Sequence, residues 1–200
     1  MFEVRVHGRG GQGVVTTAAL LSIAGFRDGR QAQAFPSFGS ERTGAPVVAF
    51  CRLADDPIRS RELVFAPDAL IVQDATLLHH VDVFAGLRPD GYVLVNSSRS
   101  VAQLGIGRIA DRLAAGRVLI VPASRIATEH LGRALPGAAL LGAFAALTGQ
   151  VTLGSVIVAV HEQFIGPVAA GNAAAARAAF DAVTPETVTT DPGARSRTSC

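Results

Sequence analysis

A glycine-rich stretch, Gly8-Arg9-Gly10-Gly11-Gln12-Gly13, joins two segments of opposite periodicity near the start of this chain. Before it, Phe2 to His7 alternates, with Val4 and Val6 on one face, as a half-buried strand does. After it, Val14 to Phe26 is a run of small and apolar residues suited to a helix. A strand that feeds a glycine turn and opens a helix is the first unit of a nucleotide-binding α/β fold, and Gly8, Gly10 and Gly13 fit G-x-G-x-x-G. Glycines give such a turn backbone angles closed to other residues and let the main chain approach a ligand. The unpaired N–H groups at the helix start then favour an anion.

The second strand tests which ligand fits. Gln31-Ala32-Gln33-Ala34-Phe35 alternates and reads as that strand, after a helix stop at Asp28-Gly29. A dinucleotide site needs an acidic residue near its end to hold the ribose. The chain has Phe35-Pro36-Ser37 there, which argues against NAD. The loop Pro36 to Pro46 follows and holds Glu41 and Arg42 between glycines, so it reads either as a functional loop or as a solvated turn with an ion pair.

Further along, Val47–Leu53, Ala69–Asp74, Tyr92–Asn96 and Arg117–Pro122 read as strands, the first of them antiparallel or at an edge. Helices are expected over Ala75–Leu87, with Leu77, Leu78, Val81 and Phe84 inward, and over a connection ending at Ile109–Ala115. From Ser124 the pattern is helical only: Ser124 is expected to cap Arg125–Leu131, Gly137–Leu147 to form a small-residue helix, Thr152 to cap an amphipathic one, and Val168–Val183 to close the fold. The fold class is therefore α/β, a Rossmann-like, largely parallel sheet flanked by helices with a helical C-terminal part. Residues 1–183 form one domain, and 184–200, without an apolar pattern, read as a disordered tail.

Composition narrows the chemistry. Charged residues make up only 17% against 49% hydrophobic, so much of the surface is expected to face other protein. A net charge of +2 without basic runs among aromatics gives no footprint for nucleic acid. Cys51 and Cys200, the two cysteines, exclude a self-contained iron–sulfur or structural zinc site. No secretory signal or membrane span is evident, and a cytoplasmic location is expected. His161-Glu162 lacks the second histidine of a zinc-protease motif, and His79-His80 point to different sides of a helix. His7, Asp74 and Asn96 occupy strand ends, where α/β sites collect, while Ser97 and Ser98 read as turn residues. No nucleophile, acid–base pair or metal set is assembled, so the chain looks built to bind.

These residues also carry a resemblance. Gly8–Gly13, together with Ala32–Val47, Asp55-Asp56-Pro57-Ile58, Gly91–Asn96, Ile126-Ala127 and Ala139–Ala143, resembles the gamma subunit or domain of pyruvate:ferredoxin and related 2-oxoacid oxidoreductases. The likeness runs from about Met1 to Val183. Thr43, Gly137 and Ala123-Ser124 depart from the family's usual residues. The resemblance implies a complex that oxidatively decarboxylates a 2-oxoacid to an acyl-coenzyme A and passes electrons to a ferredoxin-like acceptor. It also implies that thiamine diphosphate and iron–sulfur clusters sit in partner subunits, and that this chain helps bind coenzyme A and close the complex. On that reading Arg9, Gly10, Gly11, Gln12, Gly13, Ser37, Glu41 and Arg42 face coenzyme A, with Arg9 and Arg42 toward its phosphates. Two alternatives stay open: a purely structural subunit of the same complex, and a free-standing nucleotide-binding oxidoreductase.

Overall fold

The structure is a computed structural model that describes residues 1–37 and 43–183. Glu41, Arg42 and the expected tail lie outside the described residues. Six strands form one mixed sheet: β1 (Phe2–Arg9), β2 (Gln31–Pro36), β3 (Pro46–Ala54), β4 (Ala69–Val72), β5 (Tyr92–Asn96) and β6 (Val118–Val121), in the order β2-β3-β1-β4-β5-β6. β1, β4, β5 and β6 are parallel, whereas β3 is antiparallel to both β1 and β2. The antiparallel half of the expectation for β3 therefore holds, but the edge belongs to β2. This order places β2 one strand further from the glycine turn than in a dinucleotide-binding unit, where it adjoins β1. A ribose contact from the end of β2 is thus remote by topology as well as by residue type.

Strand alternation sorts the core into two layers. Val4, Val6, Ala69, Ile71, Leu94, Leu119 and Val121 face a layer of helices: α1 (Val14–Arg27), α3 (Ala123–Leu131), α4 (Gly137–Thr148), α5 (Leu153–Gln163) and α6 (Gly166–Asp181). Leu70, Val72, Val93, Val95 and Val118 face the other side, closed by irregular chain carrying Leu77, Val83, Leu104 and Ile106. α4 is buried on nearly every side, which its small residues permit; Gly142 lies directly against the main chain of Ala176 in α6. Thr152 caps α5 as expected, its oxygen accepting from the Ser155 N–H at 3.1 Å.

Three local expectations fail. The segment expected as a helix over Ala75–Leu87 is a 3-10 turn, Ala75–His79, followed by tight turns. Its i, i+3, i+4 apolar spacing mimics a helix, but long-range partners take its backbone. The buried Arg5 guanidinium donates to the carbonyls of Val83 (3.0 Å) and Ala85, and Gly86, at φ 71°, sits against the Phe65 carbonyl. The second connection holds only a single turn, α2 (Gly107–Ala110). Ser124 is not a cap, because α3 begins one residue earlier. Its N–H and Oγ are both engaged by the Asn96 side chain at the end of β5, at 2.9 and 2.8 Å.

Candidate functional site

The glycine turn occupies the C-terminal end of β1, and in open α/β folds ligands gather at the carboxyl ends of the parallel strands. Gly11 (φ 92°) and Gly13 (φ 73°) adopt left-handed angles that bulkier residues resist. Gly13 stands at the N-cap of α1 without a side-chain cap, and the first turn of that helix carries no acidic residue. The Thr17 N–H is the first to bond back, to Gly13 O at 2.9 Å. The N–H groups of Val14, Val15 and Thr16 precede any helical acceptor, as at every helix start, and with the dipole they favour negative charge.

These residues form one wall of a depression of about 280 Å³, lined by Arg9, Gly10, Gly11, Gly13, Val14, Val15 and Thr16, with Thr43 and Val47 opposite. The facing wall is the stem that leads into β3. It is tied to the turn by Gly10 N–H to Ala45 O (2.9 Å) and Gly44 N–H to Gly10 O (3.1 Å). Across the turn lies an apolar groove of about 330 Å³, bounded by Leu20, Leu131, Leu135, Phe164 and Val168. A roomier cavity of about 490 Å³ is walled by Phe84–Pro89 with Ile109, Arg112 and Leu113. It shares no residue with the glycine turn.

The expected site residues do not all present themselves alike. Gly10, Gly11 and Gly13 line the depression with main chain. Gln12 turns inward: its Oε1 accepts the Arg9 N–H at 2.7 Å and its Nε2 donates to Asp74 Oδ2 at 2.8 Å. Arg9 pairs with Asp74 at 3.2 Å and also donates to Thr76 Oγ1 (2.8 Å) and to Gly44 O (3.0 Å). Ser37 continues the β2–β3 pairing, donating its N–H to Val48 O at 2.8 Å. The acid that organises this corner is Asp74, legible in the sequence as a strand-end residue but not as a partner of Arg9. Burial pushes its carboxyl upward, yet hydrogen bonds from Thr76 and Gln12 and the charge of Arg9 prevail and hold it below the usual carboxylate range.

The other singled-out groups serve the scaffold. His7 is buried, and burial, aided by the positive charge of Arg5, pushes its imidazole down to about 3. Asn96 joins β5 to the Gln73 carbonyl and to α3. Cys51 is a fully buried strand thiol that burial pushes far up. Ser97 receives the Arg99 N–H in a turn, and Glu162 pairs with Arg27 at 2.6 Å. Among the described residues no three histidine, cysteine or carboxylate side chains cluster to hold a metal, and no helix is long and apolar enough to cross a membrane.

Comparison with known proteins accords with this geometry. The family model for pyruvate ferredoxin/flavodoxin oxidoreductase matches residues 3–182. Pyruvate synthase subunit PorC of Methanothermobacter marburgensis is 46% identical over 181 residues, covering 90% of this chain and 97% of that one. Other relatives carry the name common subunit gamma of pyruvate/ketoisovalerate oxidoreductases. The crystal structure of pyruvate oxidoreductase subunit PORC from Thermotoga maritima superposes with a TM-score of 0.76 at 33% identity, covering 90% of this chain and 95% of that one. A 2-oxoglutarate:ferredoxin oxidoreductase from Magnetococcus marinus, solved with 2-oxoglutarate, coenzyme A and succinyl-CoA, shares the fold. Its TM-score is 0.71 at 17% identity, over 92% of this chain and 32% of that one.

Proposed function

The chain belongs to the pyruvate ferredoxin/flavodoxin oxidoreductase family, as a gamma subunit of a 2-oxoacid oxidoreductase complex, and we propose that within it the glycine turn helps bind coenzyme A. The observation that carries this is the uncapped start of α1, whose first-turn amides border the depression beside Thr43. A diphosphate suits it: main-chain donors and a helix dipole meet spread negative charge without a matched carboxylate. Gly11 and Gly13 hold the turn open, and Ser37 anchors the approach to the loop. Glu41 and Arg42 belong to the same proposal through the family resemblance alone. Thiamine diphosphate and the iron–sulfur clusters are assigned to partner subunits, a division that suits a chain with two cysteines. Electrons would leave to a ferredoxin-like acceptor through those partners.

Val15 tests the reading, being exposed on the wall of the depression and away from the core. In the assembled complex, Val15→Asp sets a carboxylate against the phosphates. Repulsion that cancels one charge-assisted contact, about 1.5–3 kcal/mol, lowers apparent coenzyme A affinity roughly tenfold or more. An unchanged titration curve would overturn the proposal.

A structural role is the second reading, and one observation favours it. Ile165 is 88% exposed, and with Leu135 and Val168 it leaves apolar surface around the groove beside the turn. Coenzyme A titration of the complex assembled without this chain separates the two, since retained binding favours the structural role.

A further inference from the structure

Arg9 lines the depression, but all three of its guanidinium nitrogens already have a protein partner and its charge is matched by a carboxylate. Nε meets Asp74 Oδ2 at 3.2 Å, Nη2 donates to Thr76 Oγ1 at 2.8 Å, and Nη1 donates to Gly44 O at 3.0 Å. Asp74 is filled on both oxygens. Oδ1 accepts from the Thr76 N–H (2.9 Å) and hydroxyl (2.6 Å), and Oδ2 accepts from Gln12 and Arg9. Gln12 completes the ring by holding the Arg9 N–H. Three stretches far apart in sequence, the glycine turn, the end of β4 and the Thr43–Ala45 stem, are therefore joined through one ion pair. Two of them are the opposing walls of the depression.

We infer that Arg9 and Asp74 are positioning residues that set the spacing between the glycine turn and the Gly44 stem, and that Arg9 is not itself the cation that binds the ligand. The inference rests on the coenzyme A reading for its functional consequence, but its structural content is separate. A cation matched by a carboxylate at 3.2 Å adds little net positive charge to the depression. Its reach to Gly44 O instead fixes where the facing wall stands. The main-chain bonds between Gly10 and the stem need that register, because a short isolated bridge gains little from neighbouring pairs.

The two roles give opposite signs for one substitution. If Arg9 binds the ligand directly, Asp74→Asn removes its competitor, and affinity for coenzyme A rises or stays. If the pair positions the walls, Asp74→Asn and Arg9→Gln each weaken binding by on the order of tenfold, the double variant is no worse than either single one, and kcat at saturation is retained. Asp74→Glu restores much of the loss by offering a carboxylate again. Hydrogen exchange at the Gly44 amide of the assembled complex reads the latch without ligand. Faster exchange in both single variants supports it, and unchanged exchange overturns it. Tighter coenzyme A binding in Asp74→Asn also overturns it. Faster exchange with unaltered coenzyme A affinity keeps the latch and counts against the coenzyme A reading instead.

Discussion

Thr17 Oγ1 accepts a hydrogen bond from Gln73 Nε2 at 2.7 Å while donating to Gly13 O at 3.0 Å, joining the end of β4 to the glycine turn. Gln73 is almost wholly buried, and its Oε1 has no partner among the described residues. Thr17→Val keeps the shape and leaves both ends of that amide unmet. We expect a loss of about 1–3 kcal/mol, read from denaturant unfolding. Thr17→Ser, which keeps the hydroxyl, should lose much less.

Gly142 permits a close approach of α4 to α6. A Cβ there would meet the Ala176 carbonyl, a main-chain group with no rotamer to yield. Gly142→Ala should therefore destabilise by about 1–3 kcal/mol or more through overpacking, despite the better helix propensity of alanine. A rise in melting temperature would show that α6 shifts freely.

Arg52 is 1% exposed, with its guanidinium 5.0 Å from the Phe35 ring centroid and 2.8 Å from Glu3. It also donates to the Ser60 and Glu62 carbonyls, drawing the segment after β3 onto the sheet. Arg52→Met strands the Glu3 carboxylate and should cost about 3–5 kcal/mol. Adding Glu3→Met should recover a substantial part. A double variant as unstable as the single one would mean that the carbonyl contacts, not the ion pair, carry the effect.

His7 sets a pH dependence. Its folded value of about 3 lies below the ordinary 6.5, so the unfolded chain binds the proton more readily between those values. The stability it contributes is full above about pH 6.5 and falls progressively as pH drops toward 3. Melting temperatures across that window should decline less steeply in His7→Leu than in the parent. Parallel curves would show that His7 is not the group titrating.

The strands were legible from local pattern: Val4 and Val6 alternate with polar neighbours, and Ala69–Val72 is a short apolar run suited to a strand buried on both faces. Tyr92–Asn96 and the Thr152 cap matched for the same local reason. Local pattern failed where a distant polar group decided the backbone. Leu77, Val81 and Phe84 have helical spacing, but Arg5 claims two of that segment's carbonyls. Ser124 has cap chemistry, but Asn96 claims it. The site shows the same division. Its glycines were readable from conformational need alone, while the employment of Arg9 depended on Asp74, which no spacing rule links to it.

β1 is synthesised before either strand that flanks it. β3 is complete only at Ala54 and β4 at Val72, so at roughly 5–20 residues per second the strand waits on the order of several seconds for its second neighbour. Until Ala54 is made Val4 and Val6 have no complete neighbouring strand, and until Asp74 is made the glycine turn lacks the aspartate that braces it. The turn is made before the strands and the aspartate that give it its shape.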